Sequence, residues 1–176
     1  MNDVLASENK KILIIGYGNT LRGDDAVGRK VAEIVAGWNL PHVRAVSVHQ
    51  LTPELAQDLS ASSRVLFVDA RVGRPNEAVA VLSIEASESV ATLEHSTNPR
   101  TLLAISRALF GTSPAAQWIT VPGTNFELGE GLTAHAERGM KSALRAIVRL
   151  LDGEQSVCGS RWAALVRAAG VRGLRL

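Results

Sequence analysis

The sequence predicts a three-layer α/β/α sandwich built around a mostly parallel sheet of about five strands. Two observations predict it. Short, continuous apolar runs alternate with longer runs of helical period, the signature of strands covered on both faces by helices. The chain is 176 residues long, enough for one core and short for two.

Ile12 to Ile15 is a compact β-branched run ended by Gly16, which reads as a buried strand. A helix follows, with Asp24 and Asp25 at its start, Val27, Val31, Ile34 and Val35 at helical spacing, and Gly37 closing the run. Val43 to Val48 alternates as a second strand, and Pro53 suits the start of a short helix over 53–60. Val65 to Val68 forms a third buried strand ending at Asp69, and Ala78 to Ile84 a fourth. Pro99 opens a helix whose apolar side carries Leu102, Leu103, Ile105 and Leu109. Trp118 to Val121 is a fifth strand stopped by Pro122, and a long helix over 132–151 buries Met140, Leu144, Ile147, Val148 and Leu151.

Composition excludes several classes. Apolar residues make up 46% and charged residues 20%, which is globular rather than disordered or collagen-like. The net charge of +2 belongs to the end of the chain: residues 1–151 balance, and 152–176 carry Arg161, Arg167, Arg172 and Arg175 against Asp152 and Glu154. We therefore read 1–151 as one α/β domain and 152–176 as a basic tail, with a short helical stripe of Trp162, Leu165, Val166 and Ala169. A neutral body is a weak footprint for nucleic acid, so none is expected as a partner. The single cysteine, Cys158, has no partner for an internal disulfide. No run reaches the roughly 18 apolar residues of a membrane span, and no export signal is seen, so a cytoplasmic protein without a membrane partner is expected.

Ligands of such sheets bind beyond the carboxyl ends of the strands. After the first strand stands Gly16-Tyr17-Gly18-Asn19-Thr20-Leu21-Arg22-Gly23-Asp24-Asp25-Ala26-Val27-Gly28. A dinucleotide fingerprint would need glycine where Leu21 stands, and two carboxylates at the helix entrance would repel a pyrophosphate. Structurally, Asp24 fits a helix N-cap and Asp25 a dipole partner. The glycine-rich loop before them points further, because it brings backbone close to something. Asp69 follows a strand of the same sheet, so the two carboxylates converge on one rim, as in a metal or acid–base site. His95 precedes the Pro99 helix in a polar segment that can reach that rim. Two carboxylates and an imidazole suit a borderline metal such as nickel or zinc. His49, after the second strand, competes for that place, whereas His42 and His135 read as surface. No nucleophile elbow or zinc-protease helix is present, so a hydrolase of this kind would use water.

The stretch Ile14 to Gly28, as GxGNxLxxDDxxG, resembles the opening motif of the hydrogenase maturation endopeptidases. The resemblance runs on through Gln50-Leu51-Thr52-Pro53-Glu54-Leu55, Phe67-Val68-Asp69-Ala70, His95-Ser96 and Phe126 to Thr133, and so covers residues 11–150. It implies the same sandwich fold. It further implies removal of a C-terminal extension from the nickel–iron hydrogenase large-subunit precursor after nickel insertion. The family's metal-binding set falls on Asp25, Asp69 and His95, with Asp25 and Asp69 as the catalytic carboxylates and Gly18, Asn19 and Asp24 in the substrate loop. Many relatives carry Glu at the Asp25 position, which leaves Asp24 as an alternative ligand. Nickel would arrive with the substrate and serve as the recognition signal. A non-cleaving, nickel-dependent chaperone would use the same three ligands, and a nucleotide-using enzyme is the third class. Loops 71–77 and 111–117 are candidates for partner selection.

Overall fold

The computed structural model describes residues 11–88 and 98–152. His95, Cys158 and the basic tail lie outside these residues. Five strands, β1 (Ile12–Tyr17), β2 (Val43–Val48), β3 (Arg64–Val72), β4 (Ala80–Ile84) and β5 (Ala115–Gly123), form one sheet in the order β2-β1-β3-β5-β4. Four helices accompany them: α1 (Val27–Gly37), α2 (Leu55–Ser60), α3 (Pro99–Phe110) and α4 (Ala134–Asp152). β1, β2, β3 and β5 run parallel, and β4 lies antiparallel against β5. The α/β sandwich and its mostly parallel sheet are as the sequence predicts.

Strand alternation divides the core into two halves. Ile12, Ile14, Leu66, Val68, Ile119 and Val121 face Val27, Val31 and Val35 of α1 and Leu144, Ile147 and Val148 of α4. Leu13, Ile15, Val65 and Phe67 face the other way, onto Leu59 of α2 and Leu102 and Leu103 of α3. Both parities of β1 and β3 are therefore apolar, which is why these strands read as unbroken runs. Strand order reverses between β1, whose crossover leads outward to β2, and β3 on its other side. Their carboxyl ends flank the crevice where such sheets bind ligands.

Several boundaries differ from the sequence reading, and those near the carboxyl rim matter most. β3 continues through Asp69 to Val72, so Asp69 is a strand residue paired with Thr120 rather than the first residue beyond the strand. β5 runs past Pro122, which is tolerated because β4 pairs no further than Thr120 and the outer side of β5 is then unpaired. Gly23–Ala26 forms a 3₁₀ turn before α1, whose N-cap is Ala26; neither aspartate caps it. Within the 111–117 segment, Ala115 pairs with Arg64 at the amino ends of the strands, opposite the carboxyl rim.

Close approach fixes α1 on the sheet. A Cβ on Gly28 would stand 2.4 Å from the Val68 carbonyl oxygen and 2.5 Å from that of Tyr17. Gly28→Ala should therefore lower stability by about 1–3 kcal/mol through overpacking against backbone. At Gly37 a Cβ meets nothing within 4 Å, so Gly37→Ala should raise stability by about 0.4–1 kcal/mol. Urea titration of both variants checks the pair; equal midpoints would contradict the packing assigned to Gly28.

Candidate active site

The β1–α1 loop is tied down by backbone from the loop between β5 and α4. The Gly23 N–H donates to the Gly129 carbonyl (2.9 Å), the Asp24 N–H to the Asn125 carbonyl (2.8 Å), and the Gly129 N–H to the Leu21 carbonyl (3.0 Å). Gly18 and Gly23 hold positive φ angles of 136° and 47°. A Cβ on Gly18 would lie 2.0 Å from the Asp25 carbonyl oxygen. The loop thus needs glycine for conformation and for space together. Its amides are consumed by this zipper, which leaves no open phosphate cradle at Gly23 and Asp24.

The adjacent aspartates separate completely. Asp24 is 0% exposed. Its Oδ1 accepts from the Thr133 N–H (2.7 Å), and its Oδ2 from the Thr124 N–H (2.8 Å), the Asn125 N–H (3.1 Å) and the Thr133 hydroxyl (2.9 Å). Burial alone would raise its pKa, but these donors outweigh burial and hold it below the ordinary carboxylate value. The Asp24 carboxylate is therefore a clasp between two loops, with its acceptor capacity spent.

Asp25 sits half-buried on the rim. Its Oδ2 accepts from the Asn19 N–H (2.7 Å), while the Asn19 side chain accepts from the Leu21 N–H (2.9 Å) in a tight Asx turn. Asp69 lies on the α3 side of β3, the side to which Tyr17 and Trp118 also turn. Burial pushes the Asp69 pKa up to about 6; hydrogen bonds from the Tyr17 hydroxyl and the Ala70 N–H pull it down, and the charge of Asp25 adds to the rise. Burial and the neighbouring Asp69 likewise push the Tyr17 phenol upward, so it stays a donor. The Trp118 indole N–H is buried near that hydroxyl, outside good hydrogen-bonding geometry.

Two carboxylates thus repel each other across one rim, and desolvation makes the charge of Asp69 costly. A cation between them would relieve both. Among the described residues no third His, Cys, Asp or Glu completes a metal-holding group with them. His95 lies in 89–97, the segment leading to Asn98, the N-cap of α3. His49 is exposed at the end of β2, and its carbonyl accepts from the Gly18 N–H (3.2 Å). His135 is not a plain surface residue: its Nε2 is buried without a hydrogen-bond partner, beside β4. Gly18 and Asn19 shape the rim loop, Asn19 through its hold on Asp25.

No protein-family model and no curated protein matches the sequence. Solved structures do. The chain is similar to the hydrogenase-maturating endopeptidase HybD from E. coli, with a TM-score of 0.64 and 24% identity over 84% of this chain and 94% of that one. It is similar to the hydrogenase 2 maturation peptidase from a Thaumarchaeota archaeon (TM-score 0.62, 23% identity, 81% and 98% of the two chains). It is also similar to the [NiFe] hydrogenase maturation protease HycI from Thermococcus kodakarensis (TM-score 0.61, 22% identity, 78% and 90%). The chain therefore has the fold of the hydrogenase maturation proteases.

The two carboxylates give opposite pH linkages. Asp24, with its pKa lowered, contributes stability above its ordinary value of 3.8 that is lost as pH falls. Asp24→Asn should cost about 2–4 kcal/mol near neutrality, because donors lose a charged acceptor, and the deficit should shrink in acid. Asp69, with its pKa raised, costs stability as pH rises from 3.8 through about 6. Asp69→Asn should match the parent near pH 4 and exceed it by about 1–3 kcal/mol at pH 8, at about 1.4 kcal/mol per pKa unit. Denaturant melts across pH check both signs; an Asp69→Asn protein less stable at pH 8 would contradict the burial argument.

Proposed function

We propose that this chain is a hydrogenase maturation endopeptidase that removes the C-terminal extension of a nickel–iron hydrogenase large-subunit precursor. The observation that carries this reading is the pair Asp25 and Asp69 on one rim of a sheet with the fold of those proteases. Asp25 supplies one oxygen beyond the bond to Asn19, and Asp69 supplies a carboxylate that gains from a cation. Nickel already inserted in the precursor is the substrate's own ion, and these two residues with His95 form its docking set. A precursor lacking nickel would leave the carboxylates in mutual repulsion and bind poorly.

Asp69 also suits the chemistry. A carboxylate with a pKa near 6 is a stronger base than an ordinary one, yet it is ionised at neutral pH. Held by Tyr17 on one side, it can take a proton from a water placed against the scissile carbonyl, and the peptide bond then breaks with proton delivery to the leaving amine. Asp25 and the docked nickel orient the substrate strand. Whether serving as base or as ligand, Asp69 must be ionised.

Purified protein mixed with nickel-loaded precursor should produce a mass loss in the large subunit, and nickel-free precursor should remain whole. Asp25→Asn and Asp69→Asn should each lower kcat/KM by at least about a hundredfold. Equal cleavage of loaded and empty precursor would sink nickel recognition, and binding without a mass change would make the protein a chaperone. In the parent, kcat/KM should fall as pH drops below about 6, with the midpoint in kcat displaced to lower pH because the substrate's nickel favours the ionised carboxylate.

A further inference from the structure

Among the described residues, one edge of the sheet is left unpaired. β4 is the last strand in the order, and among the described residues no strand pairs with its outer side. From Ala78, two residues before it, to Ile84 the chain carries no charge and no proline, the usual guards of a free edge. Val81 and Leu82 are exposed upon it. Between this edge and α4 runs a groove of about 400 Å³. Its helical wall includes His135, Arg138, Gly139, Ser142 and Arg149, a stripe along one face of α4. The fourteen helical steps from His135 to Arg149 span about 21 Å, close to the length of a strand of six residues.

The groove is chemically biased. Arg138 and Arg149 are exposed, and no ion pair is formed by either among the described residues. The acidic residue of the wall, Glu77, is already held by Arg71 (2.6 Å) and the Arg74 N–H (2.9 Å). The buried Nε2 of His135 has no partner. An occupant should therefore present carboxylate and backbone polar groups. The basic 152–176 segment of this chain is a poor match for such a wall.

Register connects the groove to the rim. Ala80 pairs with Thr120, and Thr120 pairs with Asp69, so the three lie in one row across the sheet. A strand added outside β4 would lie three strand spacings from Asp69, about 14 Å, which about four or five extended residues bridge. α4 begins at the rim after the β5 loop and ends near the amino ends of the strands, where the Arg64 guanidinium bonds the Leu150 carbonyl (3.0 Å). A chain cut at the rim and continuing along β4 would thus pass His135 first and reach Arg149 last.

We propose that the C-terminal extension of the precursor docks as a sixth strand on β4, parallel to it, with its terminal carboxylate at Arg149. This rests on the endopeptidase reading for the identity of the peptide, and it adds a substrate site remote from the carboxylates. Main-chain bonds to β4 would supply affinity, and the arginines would supply polarity and preference for a free carboxyl end.

The test uses the full chain and the extension as a synthetic peptide, either with a free carboxylate or amidated. Hydrogen exchange should show new protection of the outward-facing amides between Ala80 and Ile84, those not bonded to β5, when the free-acid peptide binds. The Arg138→Glu, Arg149→Glu double variant should weaken that peptide by about tenfold or more, with much less effect on the amidated form. With precursor, the same variant should raise KM with kcat little changed. Peptide binding that leaves β4 exchange unaltered would overturn the proposal, as would unchanged affinity in the variant. Outward-facing β4 amides, those not bonded to β5, already protected without peptide would also overturn it, since the chain would then cover its own edge. Cleavage of precursor with no protection of β4 would remove this site and leave the endopeptidase reading intact. Protection of β4 without any cleavage would do the reverse.

Discussion

The buried carboxylate of Asp24 is the interaction on which the rim depends. A charge with no solvent exposure is tolerated only when fully hydrogen-bonded. Here donors from Thr124, Asn125 and Thr133 satisfy it from a loop about a hundred residues away. The arrangement gives the glycine-rich loop after β1 one conformation, joined to the loop after β5. With the loop set, the 3₁₀ turn carries Asp25 to the rim, and Gly28 lets α1 sit directly on the ends of β1 and β3.

Against this rigid frame, the chemistry lies in an arrangement that folding alone would not favour. Asp69 is half-buried, with Tyr17 as its hydrogen-bond donor and the charge of Asp25 nearby, and its own charge is costly. Such groups cluster where function requires them. The stability lost at Asp69 is offset elsewhere, by the two-sided apolar core and by the Asp24 clasp. One acidic residue in the motif thus serves the fold, while its neighbour sits half-buried at the rim with one oxygen held by the Asn19 N–H.

Much of the fold was legible because strands buried on both faces leave continuous apolar runs, and the helices leave a clear period. The approach of Asp25 to Asp69 was foreshadowed by β1 and β3 being neighbours in one parallel sheet, although Asp69 lies within β3 rather than after it. The division of labour between Asp24 and Asp25 was not. Both are the same residue type at one helix entrance, and only contacts at a sequence separation of 100 or more tell them apart. The pairing of β4 with β5, and with it the free edge, also depends on a non-local choice. His135 read as a surface residue because nothing in the local sequence marks it for burial, yet its Nε2 is enclosed beside the strand edge. His95 belongs to residues that the structure does not describe, so its place in the ligand set rests on the family resemblance.

The claim that Asp25 and Asp69 receive the substrate's nickel is tested most directly at the metal itself. Nickel X-ray absorption can be recorded on loaded precursor alone and on its complex with the protein, trapped before cleavage. Added carboxylate oxygens in the nickel shell, lost with the Asp25→Asn, Asp69→Asn double variant, are the predicted result. A nickel spectrum that is the same alone, with the parent protein and with the variant would contradict it.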